Sequence, residues 1–340
     1  MSKNGSSRGK LEELGGILKN KKRILILAHD NPDPDALASA FALQYLASSL
    51  WGVEGVIAHG GVIGRAENRA MVRYLKIDVR PVVDISRRGF QIAALIDTQP
   101  GAGHLTLPGW IRPEIIIDHH IPVYEESLEA AFVDIRTEYG STSSILAEYL
   151  MESGLPSLDP EVATALLYGI KSDTRDLGRE TGSRDIAAYI FLFPKVQFNV
   201  LTRIEHPPRD REYFRTIGKA IGRALIERDV VVSDLERIVN PDLLSETADM
   251  LVQLEGVKWV LCAGEFNGEL LFSLRAVKKR SHAGLIAQKI VRGAGSGGGH
   301  DTTAGGRIGL DGRNYTECLN RLYRAFFQEI NRAGFKGRHL

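Results

Sequence analysis

The chain has 340 residues, 43 Lys and Arg against 42 Asp and Glu, a formal charge of +1, and 44% apolar and 25% charged residues. That is ordinary for a folded protein of about two domains, and it excludes one that holds long nucleic acid by a bulk basic excess. The two cysteines, Cys262 and Cys318, form no CxxC pair, which fits a reducing compartment and disfavours a thiolate metal site. No apolar run approaches the roughly 20 residues of a spanning helix. The opening MSKNGSSRGK lacks an apolar leader core and reads as a frayed end, so a cytoplasmic location is expected.

In chain order, RILILA (23–28), VEGVIAH (53–59), RPVVD (80–84), IAALID (92–97) and EIIID (114–118) are short aliphatic runs that predict strands. Between and after them, DALASAFALQYLASSL, STSSILAEYL and DPEVATALLYGI have helical spacing; Ile145, Leu146, Tyr149 and Leu150 fall on one stripe. Strands interleaved with helices predict an α/β domain over 1–194, a mostly parallel sheet with helices on both faces. Residues 195–215, with HPPRDREY at 206–213, read as a connection. Residues 216–340 predict a smaller α/β domain: WVLCAGE and LLFSLRAV as strands, HAGLIAQKIV as a helix, a glycine-rich loop, and a final helix. Tyr315, Cys318, Leu319, Leu322, Tyr323, Phe326, Phe327 and Ile330 of that helix recur at steps of three and four, which places Cys318 in a core.

Ionisable groups recur where the aliphatic runs stop. HDNPDPDA (29–36) brings His29, Asp33 and Asp35; IAALID ends in Asp97; IIIDHH ends in Asp118, His119 and His120; and Asp173 closes a helical run. Singly, Asp33 is a helix N-cap and Asp173 a turn residue. Together they exceed what turns require, and they lie at the edge where open α/β sheets build their sites. Such a set buried unpaired would cost several kcal/mol per charge, which divalent cations would offset. Oxygen-rich ligands with some imidazole suit Mn²⁺, Mg²⁺, Co²⁺ or Fe²⁺ better than structural zinc. Two ions sharing a carboxylate imply phosphate-ester hydrolysis.

HxNPDxD at 29–35, the Asp97 strand end, DHH at 118–120, Asp173 and GGGHDTTAGG at 297–306 resemble the DHH phosphoesterases that carry a DHH-associated C-terminal domain. The resemblance is nearest to stand-alone members that act on very short RNA and on 3′-phosphoadenosine 5′-phosphate. It implies two divalent ions, Mn²⁺ foremost, in a cleft between the domains. His29, Asp33 and Asp97 would surround one ion, and Asp35, Asp97, His119 and Asp173 the other, with Asp97 bridging. Asp118 would orient a ligand imidazole, and His120 would contact the scissile phosphate or protonate its leaving group. Gly298, Gly299 and His300 would form a substrate-binding turn, and Arg275 would hold a non-scissile phosphate. Members of the family often have glycine where this chain has Pro34 and Arg175; the second departure bears on substrate preference.

The implied partners are short oligonucleotides or a mononucleotide bisphosphate, with no long duplex, no membrane, and a homodimer left open. Competing activities are a linear or cyclic dinucleotide phosphodiesterase, an exopolyphosphatase, a pyrophosphatase and a RecJ-like exonuclease; a non-catalytic nucleotide sensor is the alternative from another class.

Overall fold

The computed structural model describes residues 6–86, 88–102, 105–122, 129–278, 280–299, 301–332 and 337–340. The chain divides into two compact units, Met1–Pro207 and Pro208–Leu340.

The first unit runs α1 (Ser7–Leu18), β1 (Arg23–Leu27), α2 (Pro34–Trp51), β2 (Glu54–His59), α3 (Ala66–Tyr74), β3 (Val79–Pro81), β4 (Ile92–Ile96), β5 (Ile115–Asp118), β6 (Phe132–Ile135), α4 (Thr142–Glu152), α5 (Pro160–Thr174), α6 (Ser183–Leu192) and α7 (Phe198–Glu205). Its six strands are all parallel in the order β3-β2-β1-β4-β5-β6. The order reverses between β1 and β4, so the chain leaves the sheet in opposite directions from these neighbours and opens a crevice at their carboxyl ends.

Alternate strand residues sort onto two faces. Ile24, Ile26, Ile57, Ala94, Ile96, Ile115 and Ile117 join α1, α2, α4 and α5 in one large core. Leu25, Leu27, Ala58, Leu95 and Ile116 face the other way, where Val82, Ile111 and the flanking Leu105, Leu107 and Trp110 pack on them. The helical cover expected on both faces is thus concentrated on one; among the described residues, a 3₁₀ turn (Val82–Asp84) and extended chain cover the other. α2 starts with Asp33 accepting from the Ala36 amide at 3.0 Å, with Pro34 in the first turn, and stops at left-handed Gly52 (φ 67°).

The second unit runs α8 (Arg211–Gly222), β7 (Leu225–Glu227), β8 (Val230–Arg237), α9 (Asp242–Leu251), β9 (Trp259–Phe266), β10 (Glu269–Ala276), α10 (Ala283–Ile290), β11 (Gly295–Gly299), β12 (Thr303–Gly309), α11 (Tyr315–Glu329) and β13 (Arg338–His339). Its mixed sheet, β11-β12-β10-β9-β8-β7-β13, has α10 and α11 on one face and α8 and α9 on the other.

Two segments differ from expectation. Ser7–Lys10 of the supposed frayed end open α1, whose Leu11, Leu14 and Leu18 are buried. The connecting segment 195–215, read as partly helical, contains α7 and the start of α8. The glycine-rich loop is a β-hairpin, β11 and β12, with Gly297 paired to Gly306. Glycine is needed there for closeness: a Cβ on Gly297 would lie 2.6 Å from the Ala287 carbonyl oxygen of α10, and one on Gly306 would lie 2.6 Å from the Phe272 ring.

Candidate metal centre

The loops after β1, β4 and β5 and the last turn of α5 converge at the carboxyl edge of the parallel sheet. They form three clusters whose ligand atoms lie within 4.8 Å of one another: His29, Asp33 and Asp97; Asp35, His119 and Asp173; and Asp97, His119 and His120. Asp97 spans the set. Its Oδ2 lies 3.7 Å from His29 Nε2, while its Oδ1 lies 3.6 Å from His119 Nε2 and 3.8 Å from His120 Nδ1.

Each imidazole is held by its Nδ1. His29 Nδ1 lies 2.9 Å from the Asp30 carbonyl oxygen, and His119 Nδ1 lies 3.2 Å from that of Tyr139. Donating there leaves Nε2 as the nitrogen facing the carboxylates, as in imidazole ligands steadied by an outer acceptor. His119 Nε2 is buried and lies 3.1 Å from Asp173 Oδ2 without an aligned hydrogen bond, a polar atom left unsatisfied inside the cluster.

His120 Nδ1 is held at 2.8 Å by Asp118 Oδ1. The acid expected to orient a ligand imidazole therefore holds the imidazole expected to meet phosphate, while a backbone carbonyl orients His119. Asp118 also accepts from the His119 amide at 2.8 Å and from Gln99 Nε2 at 2.7 Å.

The electrostatics fit cations. Burial, then the Asp173 charge, pushes the Asp35 carboxyl up to about 7, and burial with Asp35 and Asp33 nearby pushes Asp97 well above the usual range. Burial disfavours the charged forms of His29 and His119, yet Asp33 beside the first and Asp173 and Asp35 beside the second raise each pKa to about 9. A site that forces acids to hold protons when no cation is bound suits divalent ions on exchange of those protons.

Sequence reasoning missed three contributors. Thr142 Oγ1 donates to Asp97 Oδ1 at 2.8 Å, the Tyr139 carbonyl holds His119, and Gln99 braces Asp118. Neither residue type nor spacing marked Thr142, which acts from an ordinary helix start.

In the second unit, Arg275 of β10 is buried, with Nε 2.6 Å from Asp249 Oδ1 and Nη1 2.8 Å from Ser273 Oγ. Its guanidinium is thus shared with a carboxylate of its own unit. Gly298 and Gly299 lie in β11, an edge strand of the hairpin, and a Cβ on Gly299 (φ 144°) would sit 2.4 Å from the Thr303 carbonyl oxygen. His300 lies outside the described residues.

A parallel α/β domain with a histidine and carboxylate centre at its switch point, followed by a mixed-sheet domain, defines a class of two-domain phosphoesterases. The chain belongs to the DHH family: residues 23–170 match the DHH family N-terminal domain and residues 227–331 the DHHA1 domain. It is 39% identical over 295 residues to an uncharacterized protein of Methanocaldococcus jannaschii, a match covering 86% of this chain and 59% of that one. The chain thus spans less than two thirds of that relative's length. It is 28% identical over 153 residues to a probable manganese-dependent inorganic pyrophosphatase of Streptococcus agalactiae, covering 45% of this chain and 48% of the relative. It is 26% identical over 310 residues to the cyclic-di-AMP phosphodiesterase GdpP of Geobacillus thermodenitrificans, covering 86% and 45%. The fold is shared with the crystal structure of an exopolyphosphatase-related protein from Bacteroides fragilis, at TM-score 0.74 and 16% identity over 97% of this chain and 99% of that one. No helix among the described residues is long and apolar enough to cross a membrane.

Proposed function

We propose that the chain is a dinuclear-metal phosphohydrolase that cleaves phosphodiester bonds of short oligoribonucleotides and removes the 3′ phosphate of 3′-phosphoadenosine 5′-phosphate. The observation that carries this is the division of Asp97, one carboxylate oxygen toward His29 and the other toward His119. His29, Asp33 and Asp97 would hold one ion, and Asp35, Asp97, His119 and Asp173 the second, with Mn²⁺ the first candidate given the manganese-dependent relative. When bound, such a pair polarises a phosphoryl oxygen and lowers the pKa of a water. Asp118 fixes the ring of His120, which would meet the scissile phosphate or protonate the leaving oxygen. Arg275, Gly298, Gly299 and His300 would bind the remainder of the substrate.

The near-neutral net charge supports a short substrate over a long strand. A linear or cyclic dinucleotide is the second reading, supported by the GdpP match, which runs over 86% of this chain where the pyrophosphatase match covers 45%. Turnover of a dinucleotide, a five-nucleotide RNA, 3′-phosphoadenosine 5′-phosphate, a cyclic dinucleotide, pyrophosphate and polyphosphate with Mn²⁺ separates them. Preferred hydrolysis of short RNA and the bisphosphate is expected. Preference for the cyclic compound or polyphosphate replaces the reading, and metal binding without turnover makes the chain a sensor.

A further inference from the structure

The first turn of α4 reaches both central carboxylates. The Thr142 amide donates to Asp35 Oδ2 at 2.7 Å, the Ser143 amide to Asp35 Oδ1 at 2.8 Å, and the Thr142 hydroxyl to Asp97 Oδ1 at 2.8 Å. Asp35, Thr142 and Ser143 are fully buried and Asp97 is 1% exposed, so water takes no share in these contacts. Ser141, the N-cap, satisfies the Ser144 amide at 3.1 Å, which leaves the two amides ahead of it to Asp35. The positive end of an 11-residue helix is thereby spent on a carboxylate inside the site.

The same turn supplies the Tyr139 carbonyl to His119, so residues 139–143 contact three candidate ligands. The turn is also wedged in place. A Cβ on Gly140 would lie 2.7 Å from Thr174 Cγ2, beside Asp173, and the Gly140 amide donates to both Asp185 oxygens at 3.0 Å.

We infer that Thr142 is a positioning residue that sets the two metal positions apart: its hydroxyl holds Asp97 Oδ1 toward the Asp35, His119 and Asp173 cluster. The contact is one-sided. It touches only the oxygen that faces His119, while the oxygen that faces His29 is 3.7 Å from that imidazole. Without the hydroxyl, the planar carboxylate can pivot about the Oδ2 end that faces His29, so Oδ1 swings farther than Oδ2 and the second position weakens more than the first. Outer contacts of this kind typically change metal affinity by about 10–100-fold.

This rests on the metal reading above, and the test separates the two. Mn²⁺ titration by calorimetry, with elemental analysis, is run on the full chain and on Thr142→Val, Thr142→Ala and Thr142→Ser. The full chain is expected to take up two ions. Val and Ala should weaken one of them by about 10–100-fold and leave the other within about threefold, and Ser should restore both. In a His29→Ala background, which removes a ligand of the first position only, Thr142→Val should weaken the remaining ion by the same factor. Equal weakening of both ions, no weakening, or failure of Ser to restore overturns the inference and leaves the metal reading standing. No Mn²⁺ uptake by the unaltered chain overturns both.

Discussion

Arg136→Met should strand two carboxylates beneath the site. Arg136 is 5% exposed; its Nε lies 3.0 Å from both oxygens of Asp134, Nη2 lies 2.7 Å from Asp134 Oδ2, and Nη1 lies 3.0 Å from Glu148 and 3.1 Å from the Tyr139 hydroxyl. Asp134 and Glu148 are 3% and 5% exposed, so water cannot replace the lost cation. Removing one partner of a buried ion pair costs about 3–5 kcal/mol. Three contacts soften the loss: Tyr149 donates to Asp134, the Ser7 hydroxyl donates to Glu148, and Arg184 lies 3.3 Å from Glu148 Oε1. Methionine also fills most of the vacated volume, so the expected loss is about 3 kcal/mol. Because two units need not unfold together, native-state hydrogen exchange at β6 and α4 amides is the suitable assay. Adding Asp134→Asn and Glu148→Gln should recover more than half of the loss, since no buried charge is then unpaired. A loss below about 1 kcal/mol, or no recovery in the triple variant, would refute the buried-charge reasoning. Tyr139 and α4 both hold candidate ligands, so Mn²⁺ affinity should fall along with stability.

Asp97→Ala should abolish turnover and reduce bound Mn²⁺ to at most one ion per chain; two ions by elemental analysis would contradict the bridging assignment. Arg175→Gly should stabilise the first unit by about 0.5–1 kcal/mol, because Arg175 ends α5 in the left-handed region (φ 48°), and an unchanged urea midpoint would show that no strain resides there. The Asp229 carboxyl is held below its usual range by Lys258 at 2.6 Å, against burial, and by Arg332 at 3.1 Å. Its folded pKa is depressed, so its stabilisation is present above the unfolded pKa of about 4 and is lost as pH falls through the folded value. Asp229→Asn should therefore cost the second unit about 1 kcal/mol at pH 7 and nothing in strong acid, and a pH-independent cost would contradict this.

The parallel sheet and the acid-and-imidazole edge were legible because both rest on patterns that survive in one dimension. A buried parallel strand must be aliphatic throughout, and ligands that follow it appear where the aliphatic run ends. Asp33 shows why neither reading of a single residue suffices, since it both caps α2 through Ala36 and stands 3.8 Å from His29 Nε2. Thr142, Tyr139 and Gln99 were not legible. Tyr139 acts through a carbonyl that any residue carries, and Thr142 through an ordinary helix start, so neither type nor spacing marks them. The glycines at 297–299 were legible as a glycine-rich loop but not as a hairpin. Gly297 meets the backbone of α10 and Gly299 that of β12, partners that sequence order does not reveal.

Asp97 joins the legible and illegible parts. Its place at the end of IAALID is visible in the sequence; its left-handed backbone (φ 58°) is not, since a non-glycine residue there costs about 1 kcal/mol or more. The conformation persists because it is held from three directions. The Asp97 amide donates to the Ile117 carbonyl of β5 at 3.0 Å, the Thr142 hydroxyl fixes one carboxylate oxygen, and His29 faces the other. An extended backbone would carry the chain onward past the strand end, whereas the left-handed turn holds the carboxylate over the switch point between β1 and β4. Strain at this residue is therefore a condition of one carboxylate serving two clusters, and it is sustained by contacts from β5 and α4 rather than by β4 itself.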